Sequence, residues 1–117
     1  MSTIEKNIRE LNEMILNGKM MEAFEKFYHE DVQMQENLNP PVIGKAANRT
    51  RELEFLTNIT DFRSATVQGV ATNENLSFVI WSYDYTHKAW GDKMYTQVSV
   101  QHWKSGQIIK EQFFYGN

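Results

Sequence analysis

From Asp61 to Tyr115 the chain favours β-branched and aromatic residues, and three short breaks divide that run: Asn73-Glu74-Asn75, the stretch around Trp90-Gly91-Asp92, and Ser105-Gly106-Gln107. Such residues bounded by turn formers read as strands. The C-terminal half is therefore expected to supply four long strands, at about 62–72, 76–87, 93–104 and 108–115. A three-residue loop containing Gly suits a tight hairpin at the last break. It sets Lys104 opposite Ile108, Trp103 opposite Ile109 and Gln101 opposite Glu111.

The hairpin before it has a longer loop. Its register is chosen by asking which pairing sorts the side chains into coherent faces, since a slip of one residue turns every side chain over. Pairing Tyr83 with Val98, Trp81 with Val100 and Val79 with His102 collects Val79, Trp81, Tyr83, Val98, Val100 and Phe114 on one apolar face. Phe78, Ile80, Ser82, Asp84, Gln97, Ser99, Gln101, Trp103, Ile109, Glu111, Phe113 and Tyr115 then share the other, a mixed polar face. A buried amide without a partner costs roughly 2–7 kcal/mol, so a face this polar is expected either to be wet or to line a site.

The N-terminal half reads as helical. Ile4, Ile8, Leu11 and Ile15 recur at helical spacing, Ser2 and Glu5 are placed for a capping box, and Asn17-Gly18 is placed to end the helix. Met20, Phe24 and Phe27 form the stripe of a second helix. From Asp31 the chain alternates as a strand, with Val32, Met34 and Glu36 on one side. After the loop NLNPPVIG, Ala46, Thr50, Leu53 and Leu56 give a third helix, with Arg49, Arg51, Glu52 and Glu54 largely on its wet side.

Composition removes several function classes. The 117 residues, 41% hydrophobic, fit one domain over 1–117. A net charge of −3 with scattered basic residues gives no footprint for nucleic acid. Without cysteine there is no disulfide framework and no thiolate site for zinc or redox work, which favours the cytoplasm. The opening MSTIEKNIRELNEM carries charge in every turn, so neither a signal peptide nor a membrane span is expected. In Tyr28-His29-Glu30-Asp31 adjacent side chains diverge and no second His stands at a ligand spacing, so no metal or other cofactor is assigned. Asp84 and His87, three residues apart on a strand, face opposite ways and make no acid/base pair.

The order of elements, with FEKFYHEDVQM at 24–34, PVIGKAANR at 41–49 and HWKSGQIIKEQFFYG at 102–116, resembles the SnoaL-like and nuclear transport factor 2-like superfamily, which includes ketosteroid isomerase. The resemblance covers nearly the whole chain. It implies an α+β, cystatin-like cone in which three N-terminal helices pack in a strongly bent antiparallel sheet. It also implies a conical pocket inside and a second subunit against the outer sheet face.

By similarity to ketosteroid isomerase, the carboxylate base falls on Glu36, the oxyanion-stabilising acid near Ser99 and the oxyanion tyrosine near Leu11. A Leu donates no hydrogen bond and a Ser is a weaker donor than a neutral acid, which argues against steroid isomerisation by that mechanism. The expected function is a small-molecule-binding domain for a mostly apolar ligand. Met34 joins Phe78, Ser82, Asp84, Gln97, Ser99, Gln101, Glu111, Phe113 and Tyr115 of the polar face around that ligand. Two alternatives stand beside it: an isomerase, cyclase or dehydratase with Glu36 as general base, and a structural homodimeric association domain. The homodimer is expected through Val79, Trp81, Tyr83, Val98, Val100 and Phe114, with Glu111 holding Gln101 as a structural partner.

Overall fold

The computed structural model describes residues 3–116. Helix α1 (Thr3–Leu16) and helix α2 (Met20–Phe27) are joined at Gly18, whose φ of +77° suits a residue without a Cβ. Ser2, the expected first residue of the capping box, lies outside the described residues. Strand β1 (Tyr28–Glu36) follows α2 directly, three residues earlier than the expected start at Asp31. A short β2 (Val42–Ile43) and helix α3 (Lys45–Thr57) come next. The four long strands are β3 (Ile59–Asn73), β4 (Leu76–His87), β5 (Gly91–Lys104) and β6 (Gln107–Tyr115).

All six strands form one sheet in the order β2-β1-β6-β5-β4-β3. Its pairs are antiparallel except that β1 runs parallel to β6. The ladder shifts three times between β3 and β4 and once between His102 and Trp103. Such irregularities bend and twist a strand, and here they curl the sheet around the helices. The core lies inside that curl, where Ile8, Leu11, Phe24, Phe27, Val32 and Trp103 are buried together.

Two local registers differ from expectation. Gln101 does pair with Glu111, but the turn is tighter: Ser105 and Gly106 alone form it, with φ of +52° and +81°, and Lys104 faces Gln107. Both central residues of such a two-residue turn need positive φ. The second difference has more consequence. Trp81 lies opposite Gln97 rather than Val100, and Tyr83 opposite Tyr95 rather than Val98. The cause is a short connection after His87. His87 pairs with Gly91, accepts a hydrogen bond from the Ala89 amide and stacks on Trp90 at 3.7 Å between ring centroids. Lys88 is tied to the Asn58 carbonyl.

That shift of three residues turns β5 over relative to β4. Val79 and Trp81 are buried in the core, with Tyr83 packed against it, on the same concave side as Gln97, Ser99 and Gln101. The expected dimer face is therefore corrected: Val79, Trp81 and Tyr83 do not belong to it. The convex face instead carries Phe78, Ile80, Val98, Val100 and Phe114, with Ile80, Val98 and Phe114 side by side across three strands. Phe78, Ile80, Ser82 and Asp84, all expected on the inner, polar face, thus lie on the convex one, and Phe78, Ser82 and Asp84 leave the expected pocket set. Asp84 is held there by Arg63 Nε at 2.7 Å.

Helix α3 is also rotated from its expected phase. Lys45, Asn48 and Glu52 are its buried residues, and Leu53 is 43% exposed. Asn48 Nδ2 donates to the carbonyls of Val32, Val42 and Gly44, tying α3 to β1 and β2. A buried carbonyl needs a partner, and three converging carbonyls favour an amide there over a leucine.

Candidate functional site

Inside the cone is a cavity of about 60 Å³, walled by residues of α1, α2, β1, α3, β4, β5 and β6. At about 15 Å³ per water on this measure it has room for about four water-sized groups. Phe24, Tyr28, Trp81, Tyr83 and Phe113 give it aromatic walls, and Glu52, Gln97, Ser99 and Glu111 supply the polar atoms.

The polar atoms are ordered in a directed chain. Trp103 Nε1 donates to Ser77 Oγ at 2.8 Å, Ser77 donates to Gln101 Oε1 at 2.6 Å, and Gln101 Nε2 donates to Glu111 Oε2 at 2.7 Å. The Tyr28 hydroxyl donates to Glu111 Oε1. Both Glu111 oxygens thus accept from neutral donors. Burial pushes this carboxyl up to about 7, against the lowering effect of those two hydrogen bonds. Burial and the neighbouring Glu111 raise the Tyr28 hydroxyl well above its ordinary value, so it stays a donor.

Glu52 enters from α3 and is 6% exposed. Arg51 Nη2 donates to its Oε1 at 3.0 Å. Burial again dominates and pushes Glu52 up to about 7, with Glu111 and Glu36 adding to the rise and Arg51 opposing it. Arg51 is the hub of the rim. Its Nη1 stands 3.7 Å from Glu36 Oε2, its Nε donates to Asn48 Oδ1 at 3.4 Å, and its guanidinium lies 5.8 Å from the centre of the Phe113 ring.

Glu36 is the last residue of β1 and lies beside Phe113 of β6. The strand is pinned beyond it. Asn37 donates its amide to the Phe113 carbonyl at 2.7 Å, and its side chain accepts from the Tyr115 amide at 2.9 Å. The Tyr115 hydroxyl donates to Glu36 Oε1 at 3.0 Å, and burial followed by the Glu36 charge raises that hydroxyl to about 12. Tyr85 and Tyr95 share a hydrogen bond of 2.8 Å on the adjoining wall, and the Tyr95 ring packs 5.3 Å from Tyr115.

The expected pocket residues thus divide. Gln97, Ser99, Glu111 and Phe113 line the cavity. Met34 is buried beside Glu111, and Gln101 stands behind Glu111 as its hydrogen-bond donor. Glu36 and Tyr115 form a pair at the rim with Arg51 rather than lining the cavity. Sequence reasoning left out Tyr28, Arg51, Glu52, Trp81 and Tyr83. For Glu52 a signal was present: Lys45, Asn48 and Glu52 lie at i, i+3 and i+7, the spacing of one helix face.

A model of the SnoaL-like domain matches residues 1–115. The chain belongs to the SnoaL-like family. Solved structures agree on the fold. This SnoaL-like chain superposes with a TM-score of 0.87 on a candidate SnoaL-like polyketide cyclase from Mesorhizobium loti, at 24% identity over 98% of this chain and 100% of that one. A nuclear transport factor 2-like protein of unknown function from Burkholderia pseudomallei matches with a TM-score of 0.77 and 14% identity, over 99% and 92% of the two chains. A protein of ketosteroid isomerase-like fold from Catenulispora acidiphila, solved in complex with trimethylamine, matches with a TM-score of 0.68 and 10% identity, over 80% and 73%. No curated protein matches the SnoaL-like sequence. Identities this low carry the fold and nothing of the chemistry.

Proposed function

We propose that this SnoaL-like domain binds a small molecule whose mostly apolar body is held in the cone. The observation that supports it is the cavity itself, in which aromatic walls surround a few convergent polar atoms, the usual composition of a ligand site. Its two carboxyls with raised pKa values add to this, since such shifts gather at functional sites. A thermal-shift screen of small metabolites tests the reading. A ligand present at about 100 times its dissociation constant adds roughly 2.7 kcal/mol of stability. A chain that no compound stabilises is instead the structural association domain.

The second reading is an enzyme of isomerase, cyclase or dehydratase type with Glu36 as general base. It is favoured by one observation: Glu36 sits at the rim between Arg51 and the Tyr115 hydroxyl, where those groups hold its orientation. The convex face of Phe78, Ile80, Val98, Val100 and Phe114 fits a second copy of the chain, because monomers rarely expose a contiguous apolar patch. No helix among the described residues is long and apolar enough to cross a membrane. The lack of cysteine supports a place in the cytoplasm.

A further inference from the structure

Among the described residues three cavity-lining side-chain oxygens make no hydrogen bond, the Tyr83 hydroxyl, Gln97 Oε1 and Glu52 Oε2, and of these only the last belongs to a group that can carry charge near neutral pH. Glu52 Oε1 is taken by Arg51, whereas Oε2 receives no hydrogen bond. Nor is Oε2 sealed away: among the described residues the sealed side-chain atoms without a hydrogen bond are Asn12 Nδ2 and Glu36 Oε2, the latter facing Arg51 at 3.7 Å. The Glu52 side chain is 8% exposed and is itself one of the cavity's lining residues. Glu111 opens on the same space, with neutral donors on both oxygens and no cation in contact. The remaining wall mixes aliphatic Leu11, Ile15 and Met20 and polar Gln97 and Ser99 with aromatic rings, Phe24 stacked on Tyr28 at 4.9 Å and Trp81 stacked on Tyr83 at 5.4 Å.

The charges around this space do not balance. Helix α3 contributes Arg51 and Glu52, β1 contributes Glu36 and the Tyr28 hydroxyl, β4 the Tyr83 hydroxyl and β6 Glu111. Arg51 is the one cation set against these three carboxyls, since Lys45 Nζ, 5.9 Å from the centre of the Phe24 ring, is engaged by the Glu25 carbonyl and carboxylate. We infer that the cavity takes the head of a small alkylated ammonium ion, its charge set against Glu52 and Glu111 and its alkyl groups against Phe24, Tyr28, Trp81 and Tyr83. The inference rests on the proposed binding function and names the ligand's chemistry. Aromatic faces attract such cations, and about four water-sized groups is the bulk of a trimethylated nitrogen. A metal ion fits worse: among the described residues no three His, Asp or Glu side chains converge to hold one.

Protonation supplies the discriminating test. Both carboxyls are raised to about 7 by burial, so an entering cation favours the ionised form and displaces a proton. A neutral carbonyl ligand needs the protonated carboxyl as donor and has the opposite pH dependence. Tetramethylammonium chloride is titrated into the protein at pH 6 and pH 8, at fixed ionic strength set with sodium chloride, following the Trp81 indole N–H by NMR. Tert-butanol, a neutral molecule of the same bulk, is the parallel probe.

The expected result is tetramethylammonium binding that tightens about tenfold from pH 6 to pH 8, exceeds that of tert-butanol, and is lost in Glu52→Gln. Thermal unfolding shows whether that variant is folded; if it is not, the pH series on the unaltered protein decides. Affinity that is flat or weakens with rising pH overturns the inference, as does tert-butanol binding equally well. Binding of tert-butanol alone overturns the cation while leaving the pocket intact. Binding of neither overturns both.

Discussion

Replacing Glu111 with Ala tests the network and its charge in one variant. Glu111 is 4% exposed and accepts from Tyr28 and Gln101. Ala strands both donors, and each stranded donor costs about 1–3 kcal/mol. The Gln101 amide cannot turn over to escape, because its Oε1 already accepts from Ser77, which in turn accepts from Trp103. A second effect adds to the first at low pH and fades as pH rises. An acid whose carboxyl titrates near 7 when folded and near 4.5 when unfolded holds its proton more tightly in the folded state. Its contribution is therefore favourable at low pH and is lost as pH rises through 7. From pH 5 to pH 8 that loss is about 2–3 kcal/mol for this one group.

The unaltered protein should lose this stability between pH 5 and pH 8, and Glu111→Ala should not. The variant is thus most destabilised at pH 5, and the difference narrows by about 2–3 kcal/mol at pH 8. Glu52 remains in both proteins and adds a similar slope, so the comparison is between the two proteins rather than with a flat line. Urea unfolding at the two pH values gives both numbers. Equal pH slopes for the variant and the unaltered protein would refute the buried, proton-holding carboxyl. Coincident midpoints at pH 5 would refute the network.

On the convex face, Ile80→Glu should convert a dimer to monomers in light scattering, and an unaltered protein that is monomeric at micromolar concentration removes the proposed contact. Asn48→Ala should cost about 1–3 kcal/mol in urea unfolding by removing the side-chain hydrogen bonds that tie α3 to β1 and β2, although the Val32 and Gly44 carbonyls keep backbone donors; an unchanged midpoint would show that water replaces the amide. Arg51→Met removes the charge that opposes the rise at Glu52. Carboxyl NMR should therefore find Glu52 titrating higher in the variant, and a fall or no change contradicts the ion pair.

Much of the architecture was legible because local chemistry determines it. Val32, Met34 and Glu36 alternate as a strand must, the Gly-containing turn places Gln101 against Glu111, and the apolar spacing marks α1 and α2. What could not be read was the phase of elements that face the cavity. The β4–β5 register was chosen by segregating apolar from polar side chains, a rule that assumes a dry core. Here the concave face mixes Trp81 and Tyr83 with Gln97, Ser99 and Gln101, and it is stable because the amides and hydroxyls bond one another. Helix α3 misled for the same reason: its inward face carries Asn48 and Glu52, so its apolar stripe pointed elsewhere. The lock on the β4–β5 loop, Lys88 on the Asn58 carbonyl, joins residues 30 apart in sequence and has no local signature.

Alternation gave Glu36 its side of the sheet but not its depth. Depth comes from the parallel pairing of β1 with β6, which puts Met34 beside Glu111 and Glu36 beside Phe113, one inward-facing position nearer the rim. An ammonium head in the cavity would meet Glu52 and Glu111, and only a ligand whose body extends past Phe113 would reach Glu36. Glu36→Gln should therefore weaken binding of tetramethylammonium far less than Glu52→Gln does, while weakening or altering reaction of a longer ligand found in the metabolite screen. The NMR titration that follows Trp81 reads the first effect, and assays with the longer ligand read the second. If Glu36→Gln abolishes binding of the small cation as completely as Glu52→Gln, the two carboxylates share one site, and the separation of rim from cavity fails.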